Sequence, residues 1–435
     1  MIVGWRAALA AASICLAGSA AARDQGDRGA GAVAAASVNS RSDTLAAGAG
    51  QFHDRTAPPA VEEEAEPAID LSVIYTAEVF RNTRGGLGRG TRYLDNFDMT
   101  LTVDGERALG WRGATLFADG LYNNGEPFSD DLVGAVQGVS NIETGVGAAR
   151  LYEAWIEQRF ASDRASVKLG LYDLNSEFDA IEAAALFLNP SHGIGPDFSQ
   201  SGRNGPSIFP VTSLAIRGDY RLADNWLVRA AILDAVPGDP DRPKRTVVEF
   251  GDGDGALGIV ELNYIDDRTK AAVGYWRYTG RFETFSAPAF SGEPAQRRGN
   301  DGLYAFVERR LTLESANDRQ GLAGWIRTGF ADETLNPVGM YVGGGLSYTG
   351  PFRGRDEDQI GVAVGVAEFG DPFRRSSALV GDPLNVRELI VEATYRAPLN
   401  RWLTLQPDVQ YVVNPGGRPA SPDALILGLR AEIGF

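Results

Sequence analysis

The sequence predicts an all-β protein: a transmembrane antiparallel up-and-down β-barrel of sixteen strands with one loop folded inward. Three observations support this prediction. Strand-like segments recur between turn signals, their connections alternate between short and long, and the final segment alternates apolar with polar residues. Mean hydropathy is −0.17, and after the leader no apolar run is long enough for a spanning helix, which argues against a helical membrane protein.

Composition limits the partners and the chemistry. The formal net charge is −16, and such an acidic chain is a poor partner for nucleic acid because phosphate binding needs a basic surface. Cys15 is the only cysteine and lies in the leader, so the mature chain has no disulfide or cysteine metal site. The turn 251–255 lacks the ligand spacing of a helix–loop–helix calcium site, and an acidic turn is the favoured interpretation. We therefore expect no cofactor and no metal ion.

The chain begins with a segment, residues 1–22, that has the three zones of a secretory signal peptide. Arg6 gives the positive start, residues 7–16 the short apolar stretch, and residues 20–22 a small-residue cleavage site. The apolar stretch is too short for a membrane anchor. Residues 23–68 are rich in Ala, Gly, Ser and charge, and they are interpreted as a disordered periplasmic extension.

The barrel domain is predicted to occupy residues 69–435. Runs with aromatic and β-branched residues predict strands at 69–81, 91–104, 109–122, 150–160, 165–172, 211–222, 225–234, 256–265, 269–280, 301–312, 320–330, 338–349, 359–370, 386–396, 402–414 and 424–435. Connections after even-numbered strands are mostly brief, and those after odd-numbered strands are mostly long. This alternation is typical of a barrel with periplasmic turns and extracellular loops, and it places both chain ends in the periplasm.

Alternation within each strand predicts one face toward lipid and one toward the lumen. In the last strand the apolar positions are Leu425, Leu427, Leu429, Ala431, Ile433 and Phe435, and Ile426 is the exception on the polar face. Charged residues on one face of many strands predict a wet lumen rather than a packed core. Trp111, Trp226 and Trp402 each open a predicted strand after a short turn, where an interfacial aromatic belt is expected.

The long connection 173–210 is the segment most suited to function. Prolines, glycines and hydrogen-bonding side chains crowd its second half, which predicts a rigid polar loop that folds inward and narrows the lumen. The candidate pore-lining residues of this loop are Asn189, His192, Asp197, Gln200, Arg203 and Asn204. Phe198 or Phe209 could stack on the apolar face of a sugar ring. The alternative is a loop that packs on its own barrel rim.

Further lumen candidates lie on the strands. They carry charges of both signs or an aromatic ring, and they are Glu153, Trp155, Glu157, Arg217, Arg229, Arg430 and Glu432. Mixed charges on a pore wall set a transverse field that favours polar, neutral solutes over bare ions. For each charged residue, a structural ion pair between neighbouring strands is an equally open interpretation.

The block from residue 189 to residue 217 resembles a known family. It contains Ser-His-Gly-Ile-Gly-Pro and Gln-Ser-Gly-Arg-Asn-Gly-Pro-Ser-Ile-Phe-Pro-Val-Thr-Ser-Leu, which is similar to the most recognisable stretch of the OprB-type carbohydrate-selective porins. The stretches 113–120, 138–143 and 150–155 also match the style of that family. The resemblance covers about residues 69–435 and implies a sixteen-stranded outer-membrane channel that passes sugars passively.

These observations predict a porin in the outer membrane of a Gram-negative bacterium, where mono- and small oligosaccharides diffuse through a lumen narrowed by a polar loop. The expected partners are sugars and outer-membrane lipid, and the sequence leaves a homotrimer open. The alternatives are a general small-solute or ion porin and, more remotely, a barrel hydrolase. No enzyme is expected, because the chain has only two histidines, His53 and His192, and no Gly-x-Ser-x-Gly elbow.

Overall fold

The fold is a closed antiparallel barrel in which each strand pairs with its neighbours in sequence. The computed structural model describes residues 67–160, 162–249, 251, 253–285, 295–314 and 320–434, and the predicted signal peptide, nearly all of the predicted extension, and Phe435 lie outside them. Its sixteen strands are β1 (Ile69–Arg84), β2 (Gly90–Asp104), β3 (Ala114–Asn123), β4 (Ala148–Phe160), β5 (Ala165–Tyr172), β6 (Ser213–Ala223), β7 (Trp226–Asp234), β8 (Ala256–Ile265), β9 (Thr269–Glu283), β10 (Gln296–Arg310), β11 (Gly321–Ala331), β12 (Val338–Thr349), β13 (Gln359–Phe369), β14 (Arg387–Asn400), β15 (Leu403–Val413) and β16 (Ala424–Gly434). β1 also pairs with β16, which closes the sheet.

Closure satisfies the backbone groups that an open sheet would leave at its two edges. Along β1, one side pairs with β2 from Ile69 to Asn82, and the other side pairs with β16 from Ile74 onward. An unpaired strand edge could not persist in lipid, because no water is present there to bond its N–H and C=O groups. The predicted antiparallel up-and-down barrel of sixteen strands is confirmed.

Short helices lie in three of the connections between strands. They are α1 (Gly105–Leu109), α2 (Pro196–Ser199) and α3 (Asp371–Leu379). The Asp104 side chain caps α1 by accepting from the Arg107 N–H, and Gly110 ends it with a left-handed φ of 71°. In the described part of the chain, no helix has both the length and the apolar character that a membrane crossing requires.

The outer face of the barrel carries an apolar band. On β16, Leu427 and Leu429 are nearly half exposed, while Ile426 is fully buried on the inner face. Neighbouring positions of a strand point to opposite faces. Ile426, the apolar exception among the polar positions of the last strand, therefore packs inside the barrel. Trp226 and Trp402 are exposed near the ends of their strands, as expected of an interfacial belt.

Two details of the strand prediction were wrong. Residues 109–113 do not belong to β3, because α1 and the turn that follows it come before that strand. Trp111 therefore lies in a connection rather than at the start of a strand. The interior is also not wet throughout. Loops pack against much of the inner wall, and the largest apolar cluster includes residues of β5 to β11 and of β13.

Candidate functional site

The long connection between β5 and β6 follows the inner wall of the barrel. We call its first half, residues 173–189, the shelf. Successive residues of the shelf contact successive strands: Asp173 bonds to β4, Asp179 to β8, Ala183 to β10 and Asn189 to β14. Each of the partner side chains occupies an inward-facing position of its strand. The shelf therefore runs around the inside of the barrel and does not rest on the rim.

Four glutamates of the wall hold the shelf by accepting hydrogen bonds from its backbone. The Glu392 carboxylate accepts from the N–H groups of Leu188 and Asn189 at 2.6 and 3.0 Å. Glu308 accepts from the N–H of Ala183 at 2.7 Å, and Glu153 and Glu261 accept from the shelf at 2.9 Å each. Each carboxyl group offers two acceptor oxygens, so one side chain can bond more than one N–H group. A loop backbone inside a barrel needs such partners, because it belongs to no sheet.

Cationic side chains of the wall contact the shelf between those glutamates. Lys168, Arg217 and Arg229 surround Glu177, with the Lys168 Nζ at 2.8 Å and the Arg217 Nη2 at 2.7 Å from its carboxylate. Burial disfavours ionisation of Glu177, but the three cations outweigh it and hold the pKa of this carboxyl well below its ordinary value. Glu177 is therefore ionised at neutral pH and fixes the shelf near β5, β6 and β7.

Arg327 of β11 joins the two halves of the connection. Its guanidinium donates to Asp179 in the shelf and to Asp197 in α2, and all three side chains are buried. The guanidinium compensates one carboxylate charge, and burial raises the pKa of Asp179 to about 7 although Arg327 opposes the shift. Loss of Arg327 would leave two buried carboxylates without their cation, which is strongly destabilising.

Aromatic contacts support the second half of the connection. Phe198 stacks on Trp276 of β9 with ring centroids 4.9 Å apart and an interplanar angle of 8°. His192 lies edge-on between Phe187 and Trp325. Burial lowers the pKa of His192 to about 3, so the ring is neutral at neutral pH. This half of the connection is a packed support for the shelf.

A second inward segment, the connection 124–147 between β3 and β4, packs against the first. The Asn141 N–H donates to the Leu188 carbonyl at 2.8 Å, and the Asn189 side chain donates to the Gly138 carbonyl at 2.8 Å. Glu388 of β14 accepts from the N–H groups of Val136 and Gln137. The two connections are thus bonded to each other and to the same strand, and together they reduce the open cross-section of the lumen.

The inner edge of the shelf faces the lumen. Its water-exposed residues are Ser176 and Glu182, and Ala180, Ala183 and Ala185 are partly exposed beside them. The Glu182 side chain is 75% exposed, whereas the other acidic side chains of the shelf are buried or nearly so. A solute that passes the shelf therefore meets small side chains and one open carboxylate.

The structure separates the predicted lining residues of the loop into two groups. Asn189, His192 and Asp197 are almost completely buried and support the loop, so the prediction that their side chains face the lumen is wrong. Gln200 and Asn204 are partly exposed. Arg203 is exposed, and its guanidinium bonds to Asp254 of the connection 235–255 at 2.7 Å. Asp252 of the acidic turn lies outside the described residues.

The suggested stacking of a sugar on Phe198 or Phe209 is also wrong in this conformation. Both rings are buried: Phe198 packs on Trp276, and Phe209 lies edge-on to Tyr152. An aromatic side chain can bury a large area against neighbouring rings. Because both rings are buried against their neighbours, their faces are not accessible to a sugar ring.

The predicted residues on the strands mainly hold the loops. Glu153 and Arg217 are buried in contacts with the shelf, and so do not line open water. Arg229 keeps partial exposure while its guanidinium bonds to Asp219 at 2.8 Å. Trp155 is partly exposed, with the Lys168 Nζ 3.9 Å above its ring. The alternative interpretation of these charges as structural ion pairs describes their contacts well.

Three further wall charges form ion pairs of this kind. Glu157 pairs with Arg217 at 3.0 Å. Arg430 pairs with the buried Glu78 of β1, and Glu432 pairs with Arg396 at 3.3 Å. The Arg430–Glu78 pair joins neighbouring strands, and the other two pairs each span an intervening strand, so these charges are compensated.

Sequence reasoning missed the wall residues Glu261, Glu308, Glu392 and Arg327. A signal was present, because each is a charged residue that directly follows an apolar residue of a predicted strand, and Glu261 and Glu392 are flanked by apolar residues on both sides. That alternation places the charge inside the barrel. It does not reveal that a loop backbone, rather than water, is the partner.

Comparison with known proteins gives a consistent result. The family model described as "Carbohydrate-selective porin, OprB family" matches residues 88–435. Porin B of Pseudomonas aeruginosa is 24% identical over 411 residues, which cover 86% of this chain and 89% of that protein. The putative porin QuiX of Acinetobacter baylyi is 20% identical over 66% of this chain and 69% of its own length.

Solved structures show the same fold. The high-pH structure of Pseudomonas putida OprB aligns with a TM-score of 0.78 at 22% identity, covering 85% of this chain and 94% of that one. The outer-membrane channel DcaP of Acinetobacter baumannii aligns more distantly, with a TM-score of 0.51 at 9% identity over 84% of this chain and 97% of its own. At these identities the likeness concerns the barrel fold alone.

Proposed function

The chain belongs to the OprB family of carbohydrate-selective porins, and on that premise we propose that neutral mono- and small oligosaccharides diffuse passively through its lumen past the shelf. It is an outer-membrane carbohydrate porin, a channel rather than an enzyme. The observation that carries the more specific proposal is the shelf itself. A loop bonded to the wall strand by strand narrows the lumen, while the barrel stays closed around it.

The chemistry of the shelf suits a neutral, hydroxyl-rich solute. The exposed hydroxyl of Ser176 can replace a hydrogen bond between sugar and water, so that dehydration costs less. The wall charges are compensated by partners, for example Arg229 by Asp219 and Lys168 by Glu177. A bare ion therefore meets few unpaired charges that could replace its hydration, whereas a polar neutral solute does not require such charges.

Several parts of the proposal concern regions or assemblies beyond the described residues. We propose that residues 1–22 are removed as a signal peptide on export and that residues 23–68 extend into the periplasm. Assembly as a homotrimer belongs to the same proposal. Among the predicted lining residues, Trp155, Gln200, Arg203, Asn204 and Arg229 keep exposed surface, and we propose these as solute contacts.

Liposome swelling with the purified mature protein tests the function. Glucose and a disaccharide are compared with amino acids of similar size. The proposal expects sugars to enter faster than size-matched amino acids. Entry ranked by size alone would indicate a general porin, and an absence of swelling with every solute would contradict a diffusion channel.

A further inference from the structure

We propose that Glu182 determines the charge preference of the channel: its carboxylate disfavours anionic solutes, including sugar acids, relative to neutral sugars. The inference rests on the proposed function in one respect only, namely that solutes pass the shelf. It specifies which members of the carbohydrate class are admitted and which residue makes the distinction.

The position of the Glu182 backbone is fixed from two directions. Its N–H donates to the Glu308 carboxylate at 3.2 Å, and the next N–H, of Ala183, donates to the same carboxylate at 2.7 Å. Before it in the chain, the Ala180 carbonyl accepts from the Lys270 Nζ at 2.8 Å. Glu308 and Lys270 occupy inward positions of β10 and β9. The backbone of Glu182 therefore lies inside the barrel.

The side chain of Glu182 consequently points into the lumen. It is 75% exposed, and because Glu308 and Lys270 lie next to the short turn ends of β10 and β9, it faces the water at that mouth of the lumen. The other charged side chains of the shelf, on Asp173, Glu177 and Asp179, are bonded to the wall or to wall-bound groups and are buried or nearly so. Glu182 is the charged residue that the shelf presents to a passing solute.

The neighbouring charges do not neutralise Glu182. Lys270 is the nearest cation, with its Nζ 3.8 Å from the Glu182 carboxylate, but it also lies 3.9 Å from the Glu308 carboxylate. The Lys270 ammonium donates its hydrogen bond to the Ala180 carbonyl at 2.8 Å instead, so the Glu182 carboxylate keeps its exposure to water. Water and salt weaken the field of the carboxylate but do not abolish it for a solute that passes within about one Debye length of Glu182, which is about 8–10 Å.

Sugar acids are the solutes for which this charge matters most. A sugar acid resembles a neutral sugar in size and hydroxyl pattern but carries a carboxylate at neutral pH. Repulsion by Glu182 raises the barrier for the acid and leaves the barrier for the neutral sugar unchanged. Because the other wall charges have partners, Glu182 gives the lumen a preference for a neutral sugar over a sugar acid of the same shape.

The test measures ion selectivity and solute entry with the purified mature channel. Reversal potentials in planar bilayers under a KCl gradient are recorded for the wild type, Glu182→Gln and Glu182→Lys. The matched control is Glu249→Gln, which removes an exposed carboxylate from the connection 235–255, where Glu249 pairs with Arg242. Liposome swelling with glucose and with gluconate is measured for the same proteins.

We expect Glu182→Gln to lower the cation-to-anion permeability ratio by about two- to fourfold and Glu182→Lys to lower it further. Both variants should raise the rate of gluconate entry relative to glucose, while Glu249→Gln behaves as wild type. Reversal potentials for Glu182→Gln that equal those of the wild type would overturn the inference. An open channel that excludes glucose would instead overturn the proposed function, so the two failures are distinguishable.

Discussion

At the scale of single residues, the inner wall uses carboxylates as acceptors for loop backbone. A glutamate with two acceptor oxygens can bond two successive N–H groups, as Glu392 does with Leu188 and Asn189 and Glu308 does with Glu182 and Ala183. This solves a problem of every loop inside a barrel, because its backbone groups leave water without entering a sheet. The shelf is held without a helix or strand of its own along most of its length.

Removing one such acceptor should loosen the loop while the barrel persists. Glu392→Ala leaves two buried N–H groups without their partner, at a cost of about 1–3 kcal/mol each. We expect faster proteolysis within residues 173–212 and larger fluctuations in single-channel current. Gel mobility before and after heating should still report a folded barrel. Glu106→Ala, an exposed change on α1, is the control, and equal currents in both variants would contradict a role for Glu392 in holding the shelf.

Glu143 in the connection 124–147 gives a prediction for pH. Burial raises the pKa of this carboxyl from its ordinary 4.5 to about 8, although bonds from Ser129 oppose the shift. The folded state thus binds a proton that the unfolded state releases. The stabilisation is complete below about pH 4.5, declines as the pH rises, and is lost above about pH 8. Asp130 and Glu78 face the same carboxyl and also favour its protonated form.

The measurement is single-channel current between pH 6 and pH 10. We expect current fluctuations in the wild type to grow with a midpoint near pH 8, as Glu143 ionises and its connection loosens. Glu143→Gln, which has a similar shape and no titration, should remove that dependence. A midpoint that persists in the glutamine variant would assign the effect to another group.

At the scale of elements, the two inward connections behave as one unit. Backbone and side-chain bonds join 124–147 to the shelf, and Glu388 and Glu392 of β14 hold one connection each. A change in one connection is therefore transmitted to the other by direct contact. On the shelf, the partly exposed residues Ala180, Ala183 and Ala185 lie beside Ser176 and Glu182, so small side chains border the passage there.

The width can be tested by enlarging one of those small residues. Ala185 is partly exposed on the shelf, and Ala185→Trp should lower conductance and slow disaccharide entry more than monosaccharide entry, because the added ring occupies lumen volume. Ala305→Trp is the matched control, since Ala305 lies between the exposed Leu303 and Val307 on the lipid face of β10. Bilayer conductance and liposome swelling measure both effects. Similar conductance in the two variants would argue that Ala185 does not border the passage.

At the scale of the whole molecule, membrane insertion and solute passage use opposite faces of the same strands. Leu429 of β16 is nearly half exposed on the outer face, while Arg430 beside it is buried and pairs with Glu78 of β1. The pair connects the last strand to the first across the closure of the barrel. Consecutive residues of β16 thus have different roles: Leu429 faces lipid, and Arg430 joins the first and last strands of the sheet.

Leu429→Arg should impair folding into a bilayer, because a cation on the lipid face costs about 2–4 kcal/mol near the midplane. Leu429→Phe keeps an apolar surface and should insert as the wild type does. The fraction folded into lipid vesicles, read from gel mobility without heating, measures the difference. Equal folding of the arginine variant would place Leu429 outside the apolar band.

The strand positions were largely predictable, because alternation is a local property of the chain. The predicted strands at 165–172, 256–265 and 338–349 coincide with β5, β8 and β12. The main error lay at residues 109–113, where an Asp cap and a glycine with positive φ make a helix and turn before β3. A five-residue helix carries too little periodicity to outweigh the apolar pattern around it.

The sequence by itself determined the closed barrel, its lipid face and the inward direction of its charges, because each follows from the two-residue period of a strand. Only the tertiary structure decided which inward side chains meet water. His192 and Asp197 looked like lining residues and are buried, whereas Glu182 was not singled out and is exposed. The reason is physical: exposure inside a barrel depends on the path of a loop across strands far apart in sequence, and no local pattern records that path.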